Sequence, residues 1–349
     1  MKAGVVHAKN DIRYEDIDLP EVKAGDVLIQ VKYTGICGSD IPRVNEGACH
    51  NFPIVLGHEF SGTIAKVGEK VTSLKVGDRV AGVPLVPCME CEDCQKGNYS
   101  LCKHYSFIGS RQNGSFAQYV VVPEKNAVKF ENEVTFEQGA FFEPATVALH
   151  GLQRVNYKGG KRVAILGGGT IGMFVMQWAK IFGAKDVVVF DIADERLKLG
   201  ERLGATGSIN TLEDDFMQKA MALTDGRGFD YVFETAGNTI TMKMAFELAA
   251  NKAEICFVGT PTKELSFSVK EWENMNRKEF ILTGSWMSYS APFPGEEWKL
   301  VAHYFKTGDL KFDDSFIFKK MPLSQISDAF EMFKQPGMVK GKILIDSEK

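Results

Sequence analysis

The stretch AILGGGTIGMF, residues 164–174, constrains the fold of this chain more than any other segment. It sets Gly167, Gly169 and Gly172 in a G-x-G-x-x-G spacing, straight after an apolar strand-like run and straight before an apolar helical one. The first glycine permits a tight turn, the second lets backbone approach a pyrophosphate, and the third lets helix and strand pack closely. The helix N-terminus then favours phosphate charge. From Lys161 to about Gly284 the same rhythm continues through RVAILG, IGMFVMQWAKIFGA, DVVVFD, ERLKLGERLGA, FDYVFETAG, TMKMAFELAANK, AEICFVGT and FILTGS. This alternation predicts βαβ units in a doubly wound parallel sheet, an α/β fold class. DVVVFD ends at Asp191, where a carboxylate can accept hydrogen bonds from a ribose 2'-hydroxyl and would repel a 2'-phosphate. NAD is therefore the expected cofactor, held by Gly167, Gly169, Ile171, Gly172 and Asp191. Arg196, on the next helix, is placed either near the adenine or on the solvated surface.

A chain of 349 residues is expected to form about two domains. From Asp26 to about Pro123, short β-type segments such as VLIQVKYTG, FSGTIAKVG, DRVAGVP and FAQYVVVP are separated by Gly-rich turns, which predicts an irregular β region. After Ser285 the character is mixed, with one helix at EEWKLVAHYFKTG and a final strand at GKILID. The expected division is a catalytic domain over 1–149, a dinucleotide domain over 150–284, and a return to the catalytic domain over 285–349. With 41 basic against 45 acidic residues there is no electrostatic footprint for nucleic acid or an anionic membrane. MKAGVVHAKNDIRYED carries no apolar run of signal-peptide length, so a soluble, cytoplasmic protein is expected.

In that compartment clustered cysteines hold metal more often than they pair as disulfides. Cys88, Cys91, Cys94 and Cys102 lie in CMECEDCQKGNYSLC, residues 88–102. Four thiolates on a short loop can close a tetrahedron around zinc and leave no open position, so this lobe is expected to be structural. An iron-sulfur run of the bacterial type would need its fourth cysteine after three residues with proline next, and Lys103 follows here. A second set of potential ligands is scattered: Cys37 in GICGSD, His58 and Glu59 in LGHEFSG, and Glu143 in FFEPATVALHG. Spacing alone does not make them a site. A zinc-ribbon binding module would account for the lobe, but it would have no use for the glycine fingerprint and Asp191.

The GHE motif at 57–59, the cysteine lobe and the fingerprint, in this order, resemble the zinc-containing medium-chain alcohol and polyol dehydrogenases over nearly the whole chain. That resemblance implies a GroES-like β catalytic domain beside a Rossmann domain, two zinc ions per chain, and hydride transfer from a secondary alcohol to NAD. It implies Cys37, His58 and Glu143 as ligands of the catalytic zinc, and Cys88, Cys91, Cys94 and Cys102 as ligands of the structural one. The alcohol dehydrogenases of the family place a cysteine where Glu143 stands, and the change points to the polyol branch. CGSD-x-PR, FIGSR, ETAG and GSWMSYSAPFPGEEW, residues 284–298, point further to a sugar-alcohol phosphate as the small-molecule substrate. Sorbitol, threonine and butanediol dehydrogenases share the general motifs. Ser39 resembles the family's proton-relay hydroxyl, Glu59 is an alternate ligand or a base acting through water, and Asp40 orients a ligand. Arg43 is the first candidate to meet a phosphate, with Arg111 and Lys278 behind it. A homodimer or homotetramer is implied by the same likeness.

Overall fold

Val163–Leu166 and Val187–Phe190 are buried residue after residue. A strand places alternate side chains on opposite faces, so burial of both faces requires helices on both sides of a sheet. The computed structural model, which describes residues 1–335 and 337–348, has this arrangement in one of its two units, Pro144–Ser288 with Asp309–Asp313. Six parallel strands run in the order Gly207–Asn210, Asp186–Asp191, Arg162–Leu166, Phe229–Glu234, Ala249–Phe257 and Ile281–Gly284. The order reverses between Arg162–Leu166 and Phe229–Glu234, and the carboxyl ends of strands at such a switch point form the ligand crevice of open α/β sheets. The glycine fingerprint and Asp191 follow or end two strands at that edge. Ala164, Leu166, Val188, Phe190, Val232, Phe246 and Ile255 belong to one core cluster of this unit.

TMKMAFELAANK was expected to be helical throughout, but the helix stops at Leu248 and Ala249–Phe257 is strand. Alanine carries no strong strand signal, and pairing with Phe229–Glu234 overrides its helix preference. The strand Gly207–Asn210 and the helix Val269–Lys278 escape a hydrophobicity reading for a related reason. The first buries only Ile209, and the second buries no residue fully.

The other unit comprises Met1–Glu143, Tyr289–Gly308 and Asp314–Lys349. Its β structure begins earlier than expected, with Lys2–Ala8 and Asp11–Asp16 paired antiparallel. In the larger sheet, Asp26–Gly35 lies between Glu59–Val67 and Lys342–Asp346, antiparallel to both. Val27, Ile29 and Val31 alternate into a core with Phe60, Ile64 and Val80, and Ile343 and Ile345 enter a second core with Val5, Ile36 and Phe330. Register does the positioning: Gly35 stands opposite Glu59 on one side and Leu344 on the other. Three chain segments distant in sequence therefore end together, delivering Cys37, the His58–Glu59 pair and Lys342. Gly35 is needed there because a Cβ would meet Glu59 Oε2 at 2.5 Å and Lys342 Cδ at 2.7 Å. Among the described residues no helix is long and apolar enough to cross a membrane.

Candidate metal centres and dinucleotide turn

Cys37, His58 and Glu59 each offer a ligand atom, and the three atoms lie within 4.8 Å of one another. Cys37 sits in the loop leaving the strand Asp26–Gly35, and its Sγ accepts a hydrogen bond from Ser39 Oγ at 3.3 Å. Ser39 is exposed and opens the short helix Asp40–Asn45. Asp40, fully buried on that helix, accepts the Cys37 backbone N–H at 3.1 Å and faces His58 Nδ1 at 3.4 Å. That nitrogen has no well-aligned partner, so the contact is electrostatic more than a hydrogen bond. Phe107 packs edge-on against the imidazole, its ring 5.6 Å from the His58 ring.

The charges around these donors are unusually concentrated. Burial alone would lower the His58 pKa, but Asp40 and Cys37 beside it raise it well above its usual value. Burial would raise Asp40, yet His58 and Arg43 hold it below the usual carboxylate range. The shell thus favours positive charge at the imidazole, which a metal cation supplies in place of the proton. Lys342 Nζ, buried with Glu59, donates to both carboxylate oxygens at 2.8 and 2.5 Å and reaches the Ile36 carbonyl at 3.4 Å. Burial would lower Lys342, but the Glu59 charge raises it.

Glu143, in the first turn of the helix Phe142–Arg154, is not one of the three donors within 4.8 Å of each other. It is close enough to feel them: burial first, and then the Glu59 charge, push its carboxyl up to about 7. The structure therefore draws Glu59, the alternate ligand of the sequence reading, into the tight cluster and leaves Glu143 beside it. Cys37, Glu59, Glu143 and Asp40 set four acidic groups against Lys342 and Arg43, and a cation at the donors would favour ionised Glu143 and displace the His58 proton. A divalent ion would bring the cluster to neutrality, and thiolate, imidazole and carboxylate are all zinc ligands. The donor set fits the metal.

Cys88, Cys91, Cys94 and Cys102 form the second cluster, with Sγ separations of 3.9 Å for Cys88–Cys94, 3.9 Å for Cys91–Cys102 and 3.5 Å for Cys88–Cys102. A tetrahedron with Zn–S bonds of about 2.3 Å has edges of about 3.8 Å, so four thiolates at these positions fit one zinc. Backbone N–H groups of Cys88 and Cys91 point at Cys102 and Cys88 sulfurs at 3.3 and 3.4 Å. Burial pushes the Cys94 thiol up while backbone N–H groups hold the Cys91 thiol down to about 6, and a bound cation would favour the thiolate at every one of the four.

In the parallel-sheet unit, Gly167 takes φ +102°, a backbone state that favours glycine. A Cβ on Gly172 would run into the Gly167 carbonyl oxygen, whereas one on Gly169 would meet nothing within 4 Å. Gly172 therefore serves packing, and Gly169 leaves the open approach that a pyrophosphate needs. Ile171 lies in the first helical turn after them, half-buried. Asp191 accepts from the Gly168 N–H at 2.6 Å and the Ala193 N–H at 2.9 Å. Arg196 Nη1 lies 3.4 Å from the same carboxylate.

Sequence reasoning missed Lys342, because a lysine heading the apolar run KILID looks like a surface strand end. It also placed Lys278 among the phosphate candidates, and the structure uses that ammonium differently. Lys278 Nζ donates to the Phe246 and Glu247 carbonyls at 3.0 and 2.8 Å, at the end of the helix Thr239–Leu248.

The chain is similar to known proteins along its whole length. The alcohol dehydrogenase GroES-like domain family matches residues 23–132, and the zinc-binding dehydrogenase family matches residues 170–303. The galactitol 1-phosphate 5-dehydrogenase of Escherichia coli K12 is 38% identical, over 99% of each chain. The sorbitol dehydrogenase of Bacillus subtilis 168 is 35% identical over 75% of this chain and 76% of its own. A crystal structure of galactitol-1-phosphate dehydrogenase from Escherichia coli superposes with a TM-score of 0.94 at 37% identity, covering 99% of this chain and 100% of that one.

Proposed function

This chain belongs to the zinc-binding medium-chain dehydrogenases, and on that premise we propose that it oxidises a secondary hydroxyl of a sugar-alcohol phosphate with NAD. Galactitol 1-phosphate is the proposed substrate and tagatose 6-phosphate the product. The observation that carries the reading is the convergence of Cys37, His58 and Glu59 within 4.8 Å, with Glu143 beside them. Full-length similarity to an enzyme named for galactitol 1-phosphate supports the choice of substrate.

Cys37, His58 and a carboxylate would hold zinc, which when bound would supply Lewis acidity toward the substrate hydroxyl, and NAD would supply the hydride acceptor. The chain's own residues do the remainder. Asp40 orients His58 and, through the Cys37 N–H, the loop that carries the thiolate. Ser39 Oγ, touching Cys37 Sγ and open to solvent, carries the hydroxyl proton outward. Glu59 lies in the tight cluster but has both oxygens engaged by Lys342, so that Glu143 is the proposed resting carboxylate ligand and Glu59 the alternate. The four cysteines of the lobe have no vacancy for substrate and serve the fold alone. Arg43 is the proposed first contact for the phosphate.

Dinucleotide choice rests on Asp191. In Asp191→Ser the repulsion of a 2'-phosphate disappears and Arg196 is released to pair with it. The preference for NAD over NADP, read as the ratio of kcat/KM values, is expected to fall at least about tenfold. An unchanged ratio would mean that Asp191 does not touch the ribose. Substrate choice is tested by NADH formation with galactitol 1-phosphate beside sorbitol, threonine and butanediol. The phosphorylated polyol is expected to give the highest kcat/KM, and a clear preference for an unphosphorylated compound sinks the assignment.

A further inference from the structure

Two arginines flank the candidate zinc shell on separate segments, and both keep donors to spare. Arg43 makes its contacts with Ser39 O, Ser39 Oγ and Asp40 Oδ1 at 3.0, 2.8 and 3.3 Å, all through Nη1. Its Nη2 and Nε are left over. Arg111 lies over the Tyr105 ring at 4.5 Å, with Nη2 3.5 Å from the phenolic oxygen, and among the described residues it has no carboxylate partner. Each sits one short step from a residue touching His58. Arg43 shares its helix with Asp40, and the Arg111 N–H bonds at 2.9 Å to the carbonyl of Phe107, whose ring meets the imidazole. His50, exposed, lies within the electrostatic reach of both arginines: burial, then Arg111, then Arg43 hold its pKa below the usual value.

Asp40 engages only one nitrogen of Arg43, and Arg111 has no carboxylate partner among the described residues, so the spare N–H groups of both can donate to an anion. Arginine offers a planar fork suited to phosphate oxygens, and stacking on Tyr105 fixes the fork of Arg111 in advance. We propose that Arg111 on its Tyr105 platform and Arg43 form a phosphate anchor that holds the terminal phosphate of a phosphorylated polyol while a secondary hydroxyl reaches the Cys37–His58 centre. The inference rests on the dehydrogenase reading above and adds to it the residues that select a phosphorylated substrate. Arg111 takes no part in the redox chemistry and only positions the substrate.

The test compares wild type with Arg111→Gln and Arg111→Lys on galactitol 1-phosphate and on galactitol itself. Expected is a loss of about tenfold or more in the kcat/KM ratio of phosphorylated over plain substrate for the glutamine variant, carried mainly by KM. The lysine variant should recover part of that ratio, since it restores charge without the fork. Inorganic phosphate titrated into the enzyme by calorimetry should bind wild type and not Arg111→Gln. A ratio that stays the same in Arg111→Gln, or equal losses on both substrates, overturns the anchor. Should wild type oxidise neither compound, the proposed reaction falls. Calorimetry still judges the anchor alone, and phosphate bound equally by wild type and variant refutes it.

Discussion

Cys37→Ser is expected to lower kcat by about 10³-fold or more and to reduce the zinc content from two ions per chain to one, while the far-ultraviolet circular dichroism stays the same. The reasoning follows from the donor set. Serine keeps the size of the side chain but presents a hydroxyl that stays protonated, where the site needs a thiolate. The tight cluster would then offer only an imidazole and a carboxylate that Lys342 already binds at two oxygens. Losing Lewis acidity removes several kcal/mol of transition-state stabilisation, and each 1.36 kcal/mol is a factor of ten in rate. The lobe at residues 88–102 shares no ligand with this centre, so its zinc should survive the substitution. Mass-spectrometric metal analysis alongside turnover reads both effects, and a variant that keeps two zinc ions and full activity would place the chemistry elsewhere. Glu143→Gln and Glu59→Gln, measured in the same way, separate the resting ligand from the alternate one.

The second large effect belongs to a residue that touches no expected ligand except Glu59. Lys342→Met should destabilise the zinc-depleted protein by about 3–5 kcal/mol, because it leaves a buried carboxylate without its counter-charge. The cost arises from desolvation of Glu59, so removing the charge as well should restore most of it. The double variant Glu59→Gln with Lys342→Met is therefore expected to be more stable than the single lysine variant. Loading zinc should also narrow the gap, since a nearby cation compensates the orphaned carboxylate. Urea unfolding midpoints of the four proteins in the cycle, with and without zinc, give the coupling energy. Equal midpoints for wild type and Lys342→Met in the zinc-depleted state would mean that the pair contributes nothing.

Most of the sheet of Pro144–Ser288 was legible in the amino-acid sequence because short continuous apolar runs alternate there with amphipathic helical stretches. The fingerprint at 167–172 also has local causes, a turn and two close approaches, that any reader can attach to glycine. The four-cysteine lobe was legible for a similar reason, since all its ligands fall within one loop. The reactive centre was not. Cys37, Glu59 and Lys342 are brought together by strand register, with Gly35 opposite both Glu59 and Leu344, and no local pattern in the chain encodes that pairing. Only a family resemblance could single out Cys37 and His58 beforehand, and it did not include Lys342. Arg43 and Arg111 were both visible as charges, but their spare donors and shared neighbour His50 depend on tertiary placement.

The Glu59–Lys342 pair spans 283 residues, and the strand carrying the lysine ends at Asp346, within the last few residues described. A ribosome delivers the chain from its N-terminus, at roughly 5–20 residues per second. Cys37, His58 and Glu59 therefore emerge long before the lysine that neutralises Glu59. The contact that neutralises Glu59 joins segments of very long sequence separation, so the carboxylate shell of the centre is completed late in folding, whereas the four-cysteine lobe closes within one loop.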